Sequence, residues 1–284
     1  MAQKFLVSVA TQSLWDRPIE KAIEFIGSLE LPGIELVVLD PWFSLEALKS
    51  RKKEITRRLS EFHLEVASLT TITNFTESVK VWENVQFAGE LIDLCADYRT
   101  DTVKLSSGPP ASGQSGQEDW DLLARSFAPV VQHAEKQGVK LAVETHLNML
   151  TDTIAGARKF LELFQSPVLG LTLDFCNLMV DGDDPVPAVQ EFGARTFLCH
   201  VKDGVLPPEG PPQWLPLGEG SLDYPAILRA LSRSPYQGYL SLECLVGDKR
   251  YNERRLRELQ GPEGVIKHDL DVLNGLLADI EKGG

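Results

Sequence analysis

The sequence predicts a single (β/α)8 barrel, the TIM-barrel class of α/β fold, spanning residues 1–284. Two observations carry that prediction. Short β-branched runs alternate with longer segments of helical period along nearly the whole chain, and the first strand is not followed by a phosphate-binding glycine turn. Alternation implies a parallel sheet, because parallel strands need crossover connections. Eight such units in 284 residues close most naturally into a barrel. An open doubly wound sheet would carry glycines in its first turn, which here reads Thr11-Gln12-Ser13-Leu14-Trp15.

The elements follow in order. Phe5–Thr11 is the first expected strand, and its helix opens at Asp16-Arg17-Pro18, with proline in the first turn. Gly33–Leu39 is the second, followed by one helix from Ser44 to Leu59. Leu64–Thr71 is the third, with Val79–Tyr98 as its helix. Thr102–Ser106 is the fourth, separated by a Gly/Ser/Pro-rich loop from the helix Trp120–Gln137. Lys140–Thr145 precedes the helix Thr153–Phe164, and Gly170–Phe175 precedes Pro185–Phe192. Thr196–Val201 is the seventh strand, with a long Pro/Gly loop before Tyr224–Leu231. Tyr239–Leu245 is the eighth, and Val265–Glu281 closes the barrel.

Composition is that of an ordinary globular protein, 43% hydrophobic and 24% charged. The formal net charge of −13 argues against a nucleic-acid or anionic-membrane partner. The N-terminal apolar run reads as a strand, not a signal peptide, and no apolar run reaches the roughly 20 residues that cross a bilayer, so a cytoplasmic protein is expected. Cys95, Cys176, Cys199 and Cys244 form no C-x-x-C pair and are expected as reduced thiols. Strand alternation turns Cys199 and Cys244 outward if His200 and Glu243 point inward; alternation leaves Cys176 open, and a structural role is expected for it.

Barrel chemistry sits at the C-terminal strand ends. Four successive ends each bring a strong ligand after apolar strand residues: Glu144, Asp174, His200 and Glu243. Three facing carboxylates would repel one another unless a cation lay among them. One divalent metal ion resolves the conflict, and three oxygens with one imidazole suit Mn²⁺, Mg²⁺ or Co²⁺, with Zn²⁺ also admissible. Alternation aims His146 and Lys202 in the same inward direction as Glu144 and His200, as candidate substrate contacts. Asn177 and Trp15 join them as substrate-binding candidates at the rim. Trp42, Phe75 and Trp214 are further expected rim aromatics, the last in a lid-like loop from Pro207 to Trp214, and such rings pack against sugar faces. Glu35 and Lys104 are expected to pair across the interior. The stretch Lys249, Arg250, Arg254, Arg255 and Arg257 reads as a solvated basic helix face.

With these four ligands, and with Gly33-Ile34-Glu35-Leu36 and Gly218-Glu219-Gly220-Ser221-Leu222, the chain resembles the xylose isomerase-like barrels of the sugar phosphate isomerase/epimerase superfamily over essentially its whole length. That superfamily includes tagatose 3-epimerase, inositol-catabolic isomerases and dehydratases, and endonuclease IV repair enzymes. The resemblance implies that Glu144, Asp174, His200 and Glu243 ligate one metal, and that Glu144 and Glu243 also act as acid and base. Asn177 stands where repair endonucleases and free-ketose epimerases carry a histidine, and no arginine follows His200 through Pro207. With the acidic charge, that argues against DNA repair and weakens a tagatose-type epimerase.

The expected function is a metal-dependent isomerase or epimerase of a small keto-sugar or polyol, working by proton abstraction beside a metal-polarised carbonyl to an enediolate. The alternative within the same chemistry is a lyase or dehydratase on a keto-cyclitol or 3-keto-glycoside. The alternative of another class is a non-catalytic barrel subunit of a larger complex, which the complete ligand set disfavours. A homo-oligomer is compatible with either enzyme reading.

Overall fold

The computed structural model describes residues 5–283. Its centre is a closed barrel of eight parallel strands. In chain order these are β1 (Leu6–Ala10), β2 (Gly33–Val37), β3 (Glu65–Thr70), β4 (Thr102–Leu105), β5 (Lys140–Glu144), β6 (Leu169–Asp174), β7 (Thr196–Val201) and, after a hairpin, β10 (Tyr239–Leu242). Each pairs with its sequence neighbour in the barrel, and β10 closes the ring against β1. The hairpin is β8 (Asp203–Val205) with β9 (Gln213–Leu215), antiparallel, built where the sequence suggested only a loop.

Helices wrap the barrel: α1 (Ile19–Gly27), α2 (Leu45–Ser50), α3 (Lys52–Glu61), α4 (Ser78–Tyr98), α5 (Gln117–Gln137), α6 (Ile154–Leu163), α7 (Phe175–Val180), α8 (Pro185–Phe192), α9 (Tyr224–Arg233), α10 (Glu253–Glu258) and α11 (Pro262–Gly283). Their starts obey side-chain capping. Ser44, Thr153, Asp184, Asp223 and Asn252 each accept a bond from a backbone N–H in the first turn. The first helix begins later than the sequence suggested. Pro18 is its N-cap, and Thr11–Leu14 form a short 3-10 turn before it. The single helix expected from Ser44 to Leu59 is two, divided at Arg51.

Strands covered by helices are buried on both faces, and β6 is buried at all six positions. Outside the barrel, apolar residues of strands and helices form one continuous core. Phe127 packs edge-on against Phe75, Phe160 and Phe164 within it, with ring centroids 4.9 to 5.6 Å apart. Inside the barrel the filling is polar: Ser8, Glu35, Thr70, Lys104, His200 and Ser241 are all buried. Those groups lead to the site.

Candidate metal centre

Register sets the depth of each ligand. Asp174, the last residue of β6, pairs with His200 on β7, and His200 pairs with Ser241 on β10. Glu243 lies one residue past the end of β10, and its N–H continues the ladder to the Val201 carbonyl at 3.0 Å. Glu144 ends β5. Ligand atoms of Glu144, Asp174, His200 and Glu243 all come within 4.8 Å of one another, and all four residues are buried. The four strand ends singled out in the sequence therefore meet at one point.

His200 Nδ1 faces three carboxylates: Glu144 Oε1 at 3.2 Å, Glu243 Oε2 at 3.6 Å and Asp174 Oδ2 at 3.7 Å. Its Nε2 lies 3.1 Å from Glu35 Oε1. Glu35 is further bonded by the Thr70 hydroxyl at 2.5 Å and by the Ser241 hydroxyl. Burial opposes ionisation of Glu35, but His200, Ser241 and Thr70 outweigh it and hold the carboxyl at about 2. Burial likewise opposes a proton on His200, yet the surrounding Glu35, Glu243, Asp174 and Glu144 raise it well above the ordinary imidazole range.

Each carboxylate has one oxygen held from outside the cluster and one turned toward His200 Nδ1. Asp174 caps α7 by accepting the Asn177 N–H on Oδ1 at 2.9 Å, while its own N–H donates to the Thr145 hydroxyl at 2.9 Å. Gln12 donates from Nε2 to Glu243 Oε1 at 2.6 Å. Lys104 is ion-paired with Glu144 Oε2. Burial opposes ionisation of Glu144, and Lys104, His146 and His200 overcome it, so this carboxylate lies well below its usual range. Lys202 Nζ lies 2.6 Å from Asp174 Oδ2 and 2.5 Å from Glu243 Oε2.

The donor set fits a divalent ion. Glu144 meets the ammonium group of Lys104, Asp174 and Glu243 meet that of Lys202, and Glu35 meets His200, so four carboxylates face two ammonium groups. With neutral imidazole that leaves two negative charges in a site shielded from water, the charge of one divalent cation. Asp174 Oδ2 is buried without a well-aligned hydrogen bond, facing only the Lys202 ammonium and His200 Nδ1. An oxygen in that state can accept a metal ion.

The outer candidates divide. His146 is half-buried and its Nδ1 lies 3.0 Å from the Leu147 carbonyl, beside Glu144. Asn177 Nδ2 donates to the Thr145 carbonyl at 3.1 Å and reaches Glu144 Oε1 at 3.5 Å, so it steadies a ligand as well as lining the site. Trp15 is half exposed on the rim, its indole packed on Gly247 after β10. Two expected rim aromatics are corrected. Phe75 is fully buried in the phenylalanine cluster, and Trp214 is 2% exposed beneath Arg250. Trp42 spends its indole N–H on the Arg17 carbonyl at 2.7 Å. Glu35 and Lys104 do not pair with each other, because His200 and Glu144 are the nearer partners. Lys202, expected to meet substrate, bridges two candidate ligands.

Cys199 and Cys244 point away from the site, as alternation requires, and Cys244 Sγ lies 3.2 Å from Asp269 on α11. All four thiols are buried and free, and burial pushes Cys199 up to about 12. The basic stretch after β10 is locally neutralised: Arg250 pairs with Asp248, Arg254 with Glu258, Arg255 with Glu219 and Arg257 with Glu253. Among the described residues no helix is long and apolar enough to cross a membrane.

Comparison with known proteins agrees with the barrel fold. Residues 23–276 match the family described as xylose isomerase-like TIM barrel. Inosose dehydratase of Clostridium botulinum is 23% identical over 142 residues, which are 45% of this chain and 48% of that enzyme. The matched region thus spans about half the length of that relative. The crystal structure of the IOLI protein with a binding zinc atom superposes with a TM-score of 0.81 at 17% identity, covering 97% of this chain and 99% of that one. L-ribulose 3-epimerase superposes with a TM-score of 0.75 at 18% identity over 98% of this chain and 96% of its own.

Proposed function

The chain belongs to the xylose isomerase-like TIM barrel family, and on that premise we propose that it is a metal-dependent isomerase or epimerase of a small keto-sugar or polyol. The observation that carries this reading is the convergence of two glutamates from separate strands, Glu144 and Glu243, on one buried cluster with Asp174 and His200. A divalent ion held by these four residues would supply Lewis acidity toward a substrate carbonyl.

The chain's own groups do the proton work. Glu144 and Glu243 approach from separated strands of the barrel, β5 and the end of β10, so one carboxylate would take a proton from the carbon beside the carbonyl and the other would return one. Lys104 and Gln12 each hold one oxygen of these glutamates, which fixes the direction of the remaining oxygen. His146 and Asn177, beside Glu144, would bind hydroxyls of the substrate, and Trp15 would offer an apolar face on the rim.

Dehydration is a second reading with its own support. Loss of a hydroxyl next to the deprotonated carbon needs a proton donor, a part the Lys202 ammonium at the edge of the cluster would play once released from Glu243. Inosose dehydratase is among the relatives. A non-catalytic barrel is disfavoured by the intact ligand set.

The test is a panel of keto-sugars and keto-polyols incubated with metal-loaded protein in D₂O and followed by proton NMR. Exchange of the hydrogen beside the carbonyl with formation of an isomer or epimer supports the first reading; an unsaturated product supports the second. A panel that undergoes neither exchange nor conversion counts against both.

A further inference from the structure

We propose that Lys202 is a built-in counter-cation: in the metal-free protein its ammonium takes the ligand oxygens of Asp174 and Glu243, and a divalent ion binds by displacing it. This rests on the reading of the cluster as a metal centre and adds a control on how tightly that centre holds its ion.

The allotment of oxygens carries the argument. Asp174 Oδ1 is committed to the Asn177 N–H and Glu243 Oε1 to Gln12. Each carboxylate therefore has one oxygen left for the cluster, and those two, Oδ2 and Oε2, also face His200 Nδ1. They are the same two oxygens that Lys202 Nζ contacts, at 2.6 and 2.5 Å. An ion and an ammonium cannot both use them at these distances without two cations in contact inside a buried site.

The lysine is built for a short displacement. Its backbone is clamped by Tyr224 on α9, whose hydroxyl accepts the Lys202 N–H at 3.1 Å and donates to the Lys202 carbonyl at 2.7 Å. Movement is thereby confined to the four-carbon side chain. A second station lies within reach: the ring of Trp214, whose centroid is 5.8 Å from Nζ and whose face can take a cation. Lys104 is the natural contrast. It holds Glu144 Oε2, while Oε1 of that residue faces His200, so it leaves the shared centre free.

The experiment titrates Mn²⁺ into chelator-stripped full-length protein and reads free ion by electron paramagnetic resonance. Lys202→Met should bind Mn²⁺ at least about tenfold more tightly than wild type, because no buried ammonium–carboxylate contact has to be broken, while Lys104→Met should change affinity by less than about threefold. Metal-free Lys202→Met should also melt below metal-free wild type, with the gap closing at saturating Mn²⁺. Lys202→Gln serves if the methionine variant fails to fold. Unchanged or weaker binding by the Lys202 variants, or an equal gain in Lys104→Met, overturns the proposal while leaving a wild-type metal centre standing. If neither wild type nor the Lys202 variants bind Mn²⁺, the metal reading falls with it.

Discussion

His200 and Glu35, separated by 165 positions in sequence, meet inside the barrel with Nε2 and Oε1 3.1 Å apart. The contact leaves Nδ1 as the ring atom that faces Glu144, Asp174 and Glu243. A carboxylate behind a ligating imidazole fixes both its tautomer and its orientation. Glu35 is itself fixed by Thr70 and Ser241, so this orientation is set by β2, β3 and β10 together.

Glu35→Gln is therefore expected to weaken metal binding by about 10- to 100-fold without touching a proposed ligand. The amide keeps the shape but can present its NH₂ to His200 and no longer stabilises a proton there. Isothermal titration with Mn²⁺ checks the affinity, and circular dichroism checks that the fold is retained. Unchanged affinity would mean that His200 is oriented by its strand alone.

Metal content gives a second expectation. Protein purified without chelator should retain close to one divalent ion per chain, because a single four-residue ligand set is found among the described residues. Chelation should lower the thermal midpoint, since an ion at 100 times its dissociation constant contributes about 2.7 kcal/mol. His200→Ala should lose the ion and the activity together. Two or three retained equivalents, or a fully loaded His200→Ala, would contradict the assignment.

The turn Gly218-Glu219-Gly220 supplies a test of stability. Asp203, buried immediately after Lys202, accepts backbone N–H groups from Gly204 at 2.8 Å, Gly218 at 3.0 Å and Gly220 at 3.2 Å. A Cβ at Gly220 would sit 2.0 Å from Asp203 Oδ1. Gly220→Ala must push the loop off this carboxylate and is expected to cost about 1–3 kcal/mol, read as a lower midpoint in urea unfolding. A wild-type midpoint would show that the turn yields without loss.

The barrel and the four-residue cluster were legible because both follow from repetition. Strand–helix alternation sets the topology, and each ligand stands at the end of an apolar strand where a charge is costly. What the sequence hid are partners decided by three-dimensional proximity. Gln12 looked like an ordinary turn residue, yet it holds Glu243. Lys104 and Glu35 were recognisable as interior charges, but only the stagger of the closed sheet assigns one to Glu144 and the other to His200. α7 was missed because its six residues, directly after a strand, are too short a run to show a helical period; the signal was Asp174, spaced to cap at Asn177. Trp214 was read as a rim aromatic because it ends a Pro/Gly loop, and the β8–β9 hairpin instead folds it under Arg250.

The last prediction concerns the proton transfers. Whichever product forms, abstraction beside the carbonyl should exchange the substrate's hydrogen with solvent, so Glu144→Gln and Glu243→Gln can be read separately from turnover. Glutamine keeps the shape and a weakly coordinating oxygen but accepts no proton at neutral pH. Because the two glutamates reach the cluster from β5 and from the end of β10, they are expected to address opposite faces of the reacting carbon. One variant should then exchange hydrogen in D₂O without forming product, and the other should do neither, each losing at least about 100-fold in kcat. Gln12 and Lys104 remain in place to hold the substituted side chains, which limits the geometric change. Metal content must be measured in both, since loss of a charged ligand would imitate loss of the base. If both metal-loaded variants turn over near the wild-type rate, the acid and base lie elsewhere, and His146 and Lys202, each touching or flanking one of these glutamates, are the groups to replace next.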